Sequence, residues 1–104
     1  MNERITQLLT QFGPDKKFIK DGYYRIRSIS ETEKEMSFLV PGDCGTSTVH
    51  PQITIYFVDN QWLPVKLLDM HNTPTQFIER NTETENFLDH SFLELVTLFE
   101  AQLS

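Results

Sequence analysis

Between Gln52 and Leu68 the chain reads QITIYFVDNQWLPVKLL, with apolar residues alternating at period two on both sides of Asp59-Asn60. That period marks a strand with one dry face, and a polar turn signal between two such runs predicts a β-hairpin. With Asp59-Asn60-Gln61 as a three-residue loop, Val58 and Trp62 flank the turn, and Ile53, Ile55, Phe57, Leu63, Val65 and Leu67 share one face. Thr54, Tyr56, Val58, Trp62, Pro64 and Lys66 then occupy the other, which is too aromatic for an idle solvated surface. A two-residue turn at Asp59-Asn60 would instead move Trp62 to the side of Phe57.

A second hairpin is expected upstream. Asp21-Gly22 is a turn signal, Tyr23 to Ser30 reads as a strand, and Glu35 to Val40 is its partner across a Glu31-Thr32-Glu33 loop. This register pairs Tyr24 with Val40, Ile26 with Phe38 and Ser28 with Met36 on the apolar face. Tyr23, Arg25, Arg27 and Ile29 stand against Glu35, Ser37 and Leu39 on the opposite face. DKKFIK before this hairpin reads as a basic connector, and Pro41 to Pro51 as a loop between the two hairpins.

Helical spacing appears at the two ends. Ile5, Leu8, Leu9 and Phe12 follow the i, i+3, i+4, i+7 rule, with Asn2 as cap and Gly13-Pro14 as stop. Near the C-terminus, Ser91 and Glu94 form a capping-box pattern, and Phe92, Leu95, Val96, Phe99 and Leu103 make one stripe with Leu88, Leu93 and Leu98 beside it. The polar stretch between, Met70 to Asn86, is expected to be irregular, with a short strand at Gln76 to Glu79. The arrangement that buries every stripe is a single α+β domain over residues 1–104: a four-stranded antiparallel meander with both helices on one face, in the order αββββα.

The order of elements and several short stretches resemble the YqiB-like family, short gammaproteobacterial proteins of unknown function. The resembling residues are Tyr24-Arg25-Ile26 opening a strand, Pro51-Gln52-Ile53-Thr54-Ile55 leading into an aromatic and an aspartate, and a terminal helix beginning near Asn86-Phe87-Leu88. Where that family has a tyrosine-histidine-aspartate-alanine run, this chain has Phe57-Val58-Asp59-Asn60. The resemblance implies a fold and carries over no activity or catalytic residue.

Composition narrows the function classes. A chain of 104 residues supports one core, and its twelve aromatic residues supply much of the area that core needs. The net charge of −6 is uneven, +1 over residues 1–40 and −7 over residues 41–104, which disfavours nucleic acid as a partner of the C-terminal half. A single cysteine, Cys44, makes neither an internal disulfide nor a cysteine-based zinc site. The charged start MNERITQLL lacks a signal peptide's apolar core, and no apolar run reaches bilayer length. A cytoplasmic protein with no membrane association and no cofactor is expected.

Three candidate sites remain. Asp43-Cys44-Gly45 with His50 offers a thiol, an acid and a base within eight residues, but the loop has few apolar anchors to hold a dyad in hydrogen-bond reach. His50, His71 and His90 with Asp69, Asp89 and Cys44 are metal-ligating types, yet no two histidines stand at ligand spacing on one helix face, so no metal is expected. The third candidate is the outer sheet face. Tyr23, Arg25, Arg27, Tyr56, Trp62 and Lys66 would share it, and arginine among aromatics on an open sheet suits a protein interface. The expectation is therefore a non-enzymatic interaction module binding a protein partner or a second copy of itself. Its alternatives are single-stranded nucleic-acid binding with Tyr23, Tyr56 and Trp62 stacking bases, and an acidic inhibitor of a nucleic-acid-binding protein. The competing structural reading is that residues 70–86 fold back over the face and bury it.

Overall fold

Six strands, not the four that alternation predicts, pair in chain order into one antiparallel sheet. The computed structural model describes residues 2–42, 45–71 and 73–103. Its elements are α1 (Asn2–Gln11), β1 (Lys17–Ile19), β2 (Gly22–Ser28), β3 (Glu33–Pro41), β4 (Ser47–Val58), β5 (Gln61–Asp69), β6 (Gln76–Glu79) and α2 (Glu85–Glu100). The extra strands are short edges. The supposed basic connector supplies β1, and the expected short strand at Gln76–Glu79 joins β5 as β6.

Both helices cover the same side. Ile5, Leu8 and Phe12 join Leu88, Phe92, Leu95, Val96 and Phe99 in one core cluster with Tyr24, Ile26, Met36, Ile53, Ile55 and Leu67 of the sheet. The Phe99 ring stands edge-on to Phe12 at 4.9 Å and to Tyr24 at 5.0 Å, so one side chain joins both helices to the sheet. Burial, then Asp21, lifts the Tyr24 phenol above its ordinary pKa of 10.0, so this ring packs as a neutral group.

Helix α2 starts six residues before the Ser91 capping box. Its N-cap is Thr84, and Asn81 Oδ1 accepts the N–H groups of Glu83 (2.8 Å) and Thr84 (2.9 Å), so the Asx turn of Asn81 leads into the helix. Leu88 consequently belongs to the buried stripe. Asn2 is the first residue of α1 rather than a residue outside it. Its amide donates to Asn60 O and accepts from the Trp62 N–H, tying α1 to the β4–β5 turn.

The first hairpin keeps the expected faces but slides by two residues. Tyr24 pairs with Phe38, Ile26 with Met36 and Ser28 with Lys34. A slip of two conserves every side chain's face, so alternation could not distinguish these registers. Lys20-Asp21 forms the β1–β2 turn, with Lys20 at φ 60, and Gly22 is already in the strand. Pro41 closes β3 and Ser47 to Pro51 belong to β4, so both ends of the stretch expected as a loop are strand.

The second hairpin corrects the expected register. Asp59 and Asn60, at φ 52 and 62, make a two-residue turn that pairs Phe57 with Trp62. Trp62 and Pro64 therefore lie on the helix side, and Leu63 lies outside beside Tyr56. The Trp62 ring sits 5.1 Å from Phe57 and packs on the core. At Val65 a bulge reverses the phase, which returns Leu67 to the inner face opposite Ile53.

Candidate functional site

The side of the sheet away from the helices presents residues from all six strands. Register defines its rows. Phe18, Tyr23, Leu39 and Val49 form an apolar row over β1 to β4. Arg25, Ser37, Gln52, Leu68 and Phe77 form the next, over β2 to β6. Arg27, Glu35, Thr54, Lys66 and Glu79 form a charged row over the same five strands. Glu33, Tyr56 and Leu63 follow it.

Of the six residues expected on this face, Tyr23, Arg25, Arg27, Tyr56 and Lys66 are there. Trp62 is not, because the two-residue turn sends its indole to the helix side. Phe18 and Phe77, 55% and 57% exposed, were missed since both lie on edge strands too short to show alternation. Residues 76–79 widen the sheet at its edge instead of burying the face, and Tyr56 remains 36% exposed.

The polar groups of the face are interlocked. Arg27 binds Glu35 at 2.6 Å. Arg25 Nη2 donates to Gln52 Oε1 (3.2 Å), which also accepts the Ser37 hydroxyl (3.0 Å), while the buried Arg25 Nε has no partner within the described residues. Ser37 itself is fully buried, so this triad is a fixed seam across β2, β3 and β4. Cations and carboxylates nearly balance over the face, in contrast to the acidic chain as a whole.

The other candidates are resolved in part. Asp43 and Cys44 lie outside the described residues, so the thiol reading has no geometry. His50 Nδ1 meets both oxygens of Asp69 at 2.9 and 2.8 Å, and Asp69 Oδ1 accepts the His71 N–H at 3.0 Å. The His50 and His71 rings are 4.6 Å apart. His90 instead pairs with Glu94 along α2, and Asp89 with Arg80. No set of three His, Cys, Asp or Glu side chains among the described residues could hold a metal ion.

Asp69 also lines a cleft of about 330 Å³ between the sheet and α2, with Leu67, Phe87, Ser91, Glu94 and Leu98 among its walls. Its carboxylate is already engaged by His50 and His71, which leaves the cleft no free polar anchor from that residue. Among the described residues no helix is long and apolar enough to cross a membrane. Comparison with protein-family models, curated proteins and solved structures found no match for this chain.

Proposed function

We propose that the chain is a non-enzymatic interaction module whose open sheet face docks a protein surface. The observation that carries this reading is the composition of that face: exposed Phe18, Phe77 and Tyr56 surround a rigid, nearly neutral polar seam, and among the described residues no helix or strand packs over it. Exposed aromatics beside arginine are the side chains that dominate binding energy at protein interfaces. A preordered backbone and interlocked side chains lower the entropy lost on association.

The two alternatives fit less well. Base stacking needed Tyr23, Tyr56 and Trp62 on one platform, and Trp62 faces the helices. Arg27 is already paired with Glu35, and Glu33 and Glu79 share the face with Arg25 and Lys66, so phosphate gains little there. A phosphate mimic needs free carboxylates, whereas Asp89, Glu94 and Glu100 of α2 pair with Arg80, His90 and Arg4. The fold implied by the YqiB-like resemblance suits the same docking role without adding a residue to it.

Amine- and tyrosine-reactive footprinting tests the reading, comparing dilute purified protein with native cell extract. Lys66, Tyr23 and Tyr56 should lose reactivity in the extract while Lys17 and Lys20 keep theirs, and nuclease treatment should not restore it. Equal labelling in both settings rejects the docking face. Protection abolished by nuclease supports the nucleic-acid alternative.

A further inference from the structure

The charged row of the outer face has an order that neighbour pairing alone does not require. Across β2 to β6 it reads Arg27, Glu35, Thr54, Lys66, Glu79, which is plus, minus, neutral, plus, minus. Pairing within the sheet requires only that each cation stand beside an anion. Had the second pair run the other way, the row would be symmetric about Thr54. As it stands it is antisymmetric about that residue, and antisymmetry is the condition for a surface to be complementary to itself under a two-fold rotation.

We propose that this face packs on the same face of a second copy, about a two-fold axis running along β4 through Thr54. The inference rests on the docking role of the face and names its occupant. Under that rotation a residue n strands to one side of β4 meets the residue n strands to the other side in the second copy. Glu35 then faces the second copy's Lys66, and Arg27 faces the second copy's Glu79. Thr54, only 7% exposed, lies on the axis beneath the longer side chains that flank it.

The neighbouring row passes the same test. Arg25 faces the second copy's Phe77, a guanidinium over an exposed ring, which is a favourable cation–π arrangement. Ser37, fully buried, lies below the contact, and Gln52 meets Gln52. No like charges meet in either row. The other rotation through Thr54, with the axis across the strands, would lay each charge of this row on its own counterpart, Arg27 on Arg27 and Glu35 on Glu35.

Size sets the strength. Five strand spacings of about 4.8 Å by roughly 20 Å along the strands bury on the order of 1,000 Å² over both copies, the lower bound for a specific interface. Sheet twist splays the edge strands, so the pair flanking the axis, Glu35 with Lys66, carries more of the contact than Arg27 with Glu79. The dimer is therefore weak and reversible, and charge reversal at the flanking pair is its most sensitive probe.

The test uses the full chain in sedimentation equilibrium from about 1 μM to 500 μM, a range that brackets a micromolar dissociation constant. The wild type should dimerise, and Glu35→Lys and Lys66→Glu should each weaken dimerisation at least tenfold, since each homodimer then places two like-charge pairs in contact. An equimolar mixture of the two variants should dimerise like the wild type, because the heterodimer restores both opposite-charge pairs. Phe77→Ala, on an edge strand with no charged partner to disturb, should weaken it several-fold and covers the case in which Glu35→Lys loses its fold with its Arg27 pair.

A wild type that stays monomeric overturns the second copy as occupant, as does a mixture no tighter than either variant. A dimer indifferent to all three substitutions overturns it too. In the first case, continued protection of Lys66 and Tyr56 in cell extract leaves the docking role standing with a different protein. Loss of that protection as well rejects both.

Discussion

Arg4 near the start of α1 and Glu100 at the end of α2 are joined by a two-pronged ion pair, Nε to Oε2 at 2.8 Å and Nη2 to Oε1 at 2.6 Å. The bond spans ninety-six positions of sequence and links the two helices on the covered side of the sheet. Hydrogen bonding from Arg4 holds the Glu100 carboxyl below its ordinary value of 4.5, against a smaller upward push from burial.

A depressed carboxyl gives its stability above the unfolded-state value and loses it as pH falls through the folded-state value. Thermal stability should accordingly decline as pH drops from about 5 toward 3. Glu100→Gln should be less stable than the wild type at pH 7 and show a shallower decline over that acid range, measured by differential scanning calorimetry. An unchanged acid slope in the variant would place the pH dependence on other carboxylates.

Phe99 tests the core. Its ring contacts both Phe12 and Tyr24 and is fully buried, so Phe99→Ala should cost about 3–5 kcal/mol and lower Tm by roughly 15–30 °C. Phe87→Ala, on the same helix but 45% exposed, should change Tm by a few degrees at most, an effect of about 0.5–1 kcal/mol. Equal losses would mean that α2 presents a different face to the sheet.

The β4–β5 turn can be tested through its backbone. Asn60 holds φ 62, which glycine adopts freely and a β-branched residue resists. Asn60→Gly should be neutral or stabilise by up to about 1 kcal/mol, and Asn60→Val should destabilise by about 1–2 kcal/mol. Chemical denaturation reads both, and a tolerant valine would argue for the three-residue loop.

Two glycines should behave oppositely. A Cβ on Gly22 would lie 2.3 Å from the Phe38 ring, which is packed on Tyr24, whereas a Cβ on Gly13 meets nothing within 4 Å. Gly22→Ala should therefore cost about 1–3 kcal/mol by overpacking. Gly13→Ala should stay within about 0.5 kcal/mol of the wild type. Denaturant midpoints of the two variants decide it.

Much of the outer face was legible in the sequence because a face depends only on alternation. Tyr23, Arg25, Arg27, Tyr56 and Lys66 lie where period two places them. Trp62 does not, and the sign that could have located it was Pro64: a proline in an interior strand has no N–H for the ladder and points to a bulge, and a bulge changes which turn length keeps Leu67 inside. Phe18 and Phe77 left no periodic trace in strands of three and four residues.

What the sequence determined by itself were local quantities: the amphipathic stripes of α1 and α2, the dry faces of the first hairpin and of β4, and the left-handed turn that Asp59-Asn60 can adopt. Tertiary structure decided everything that requires a partner. Lys17–Ile19 becomes a strand because β2 offers an unpaired backbone edge, not because of its own pattern, and the short strand expected at Gln76–Glu79 finds its partner on the free edge of β5. The slip of two between β2 and β3, and the start of α2 at Glu85 instead of Ser91, were settled by packing. In both cases the local alternatives satisfy the same pattern of faces, and only the fit of side chains from distant segments separates them.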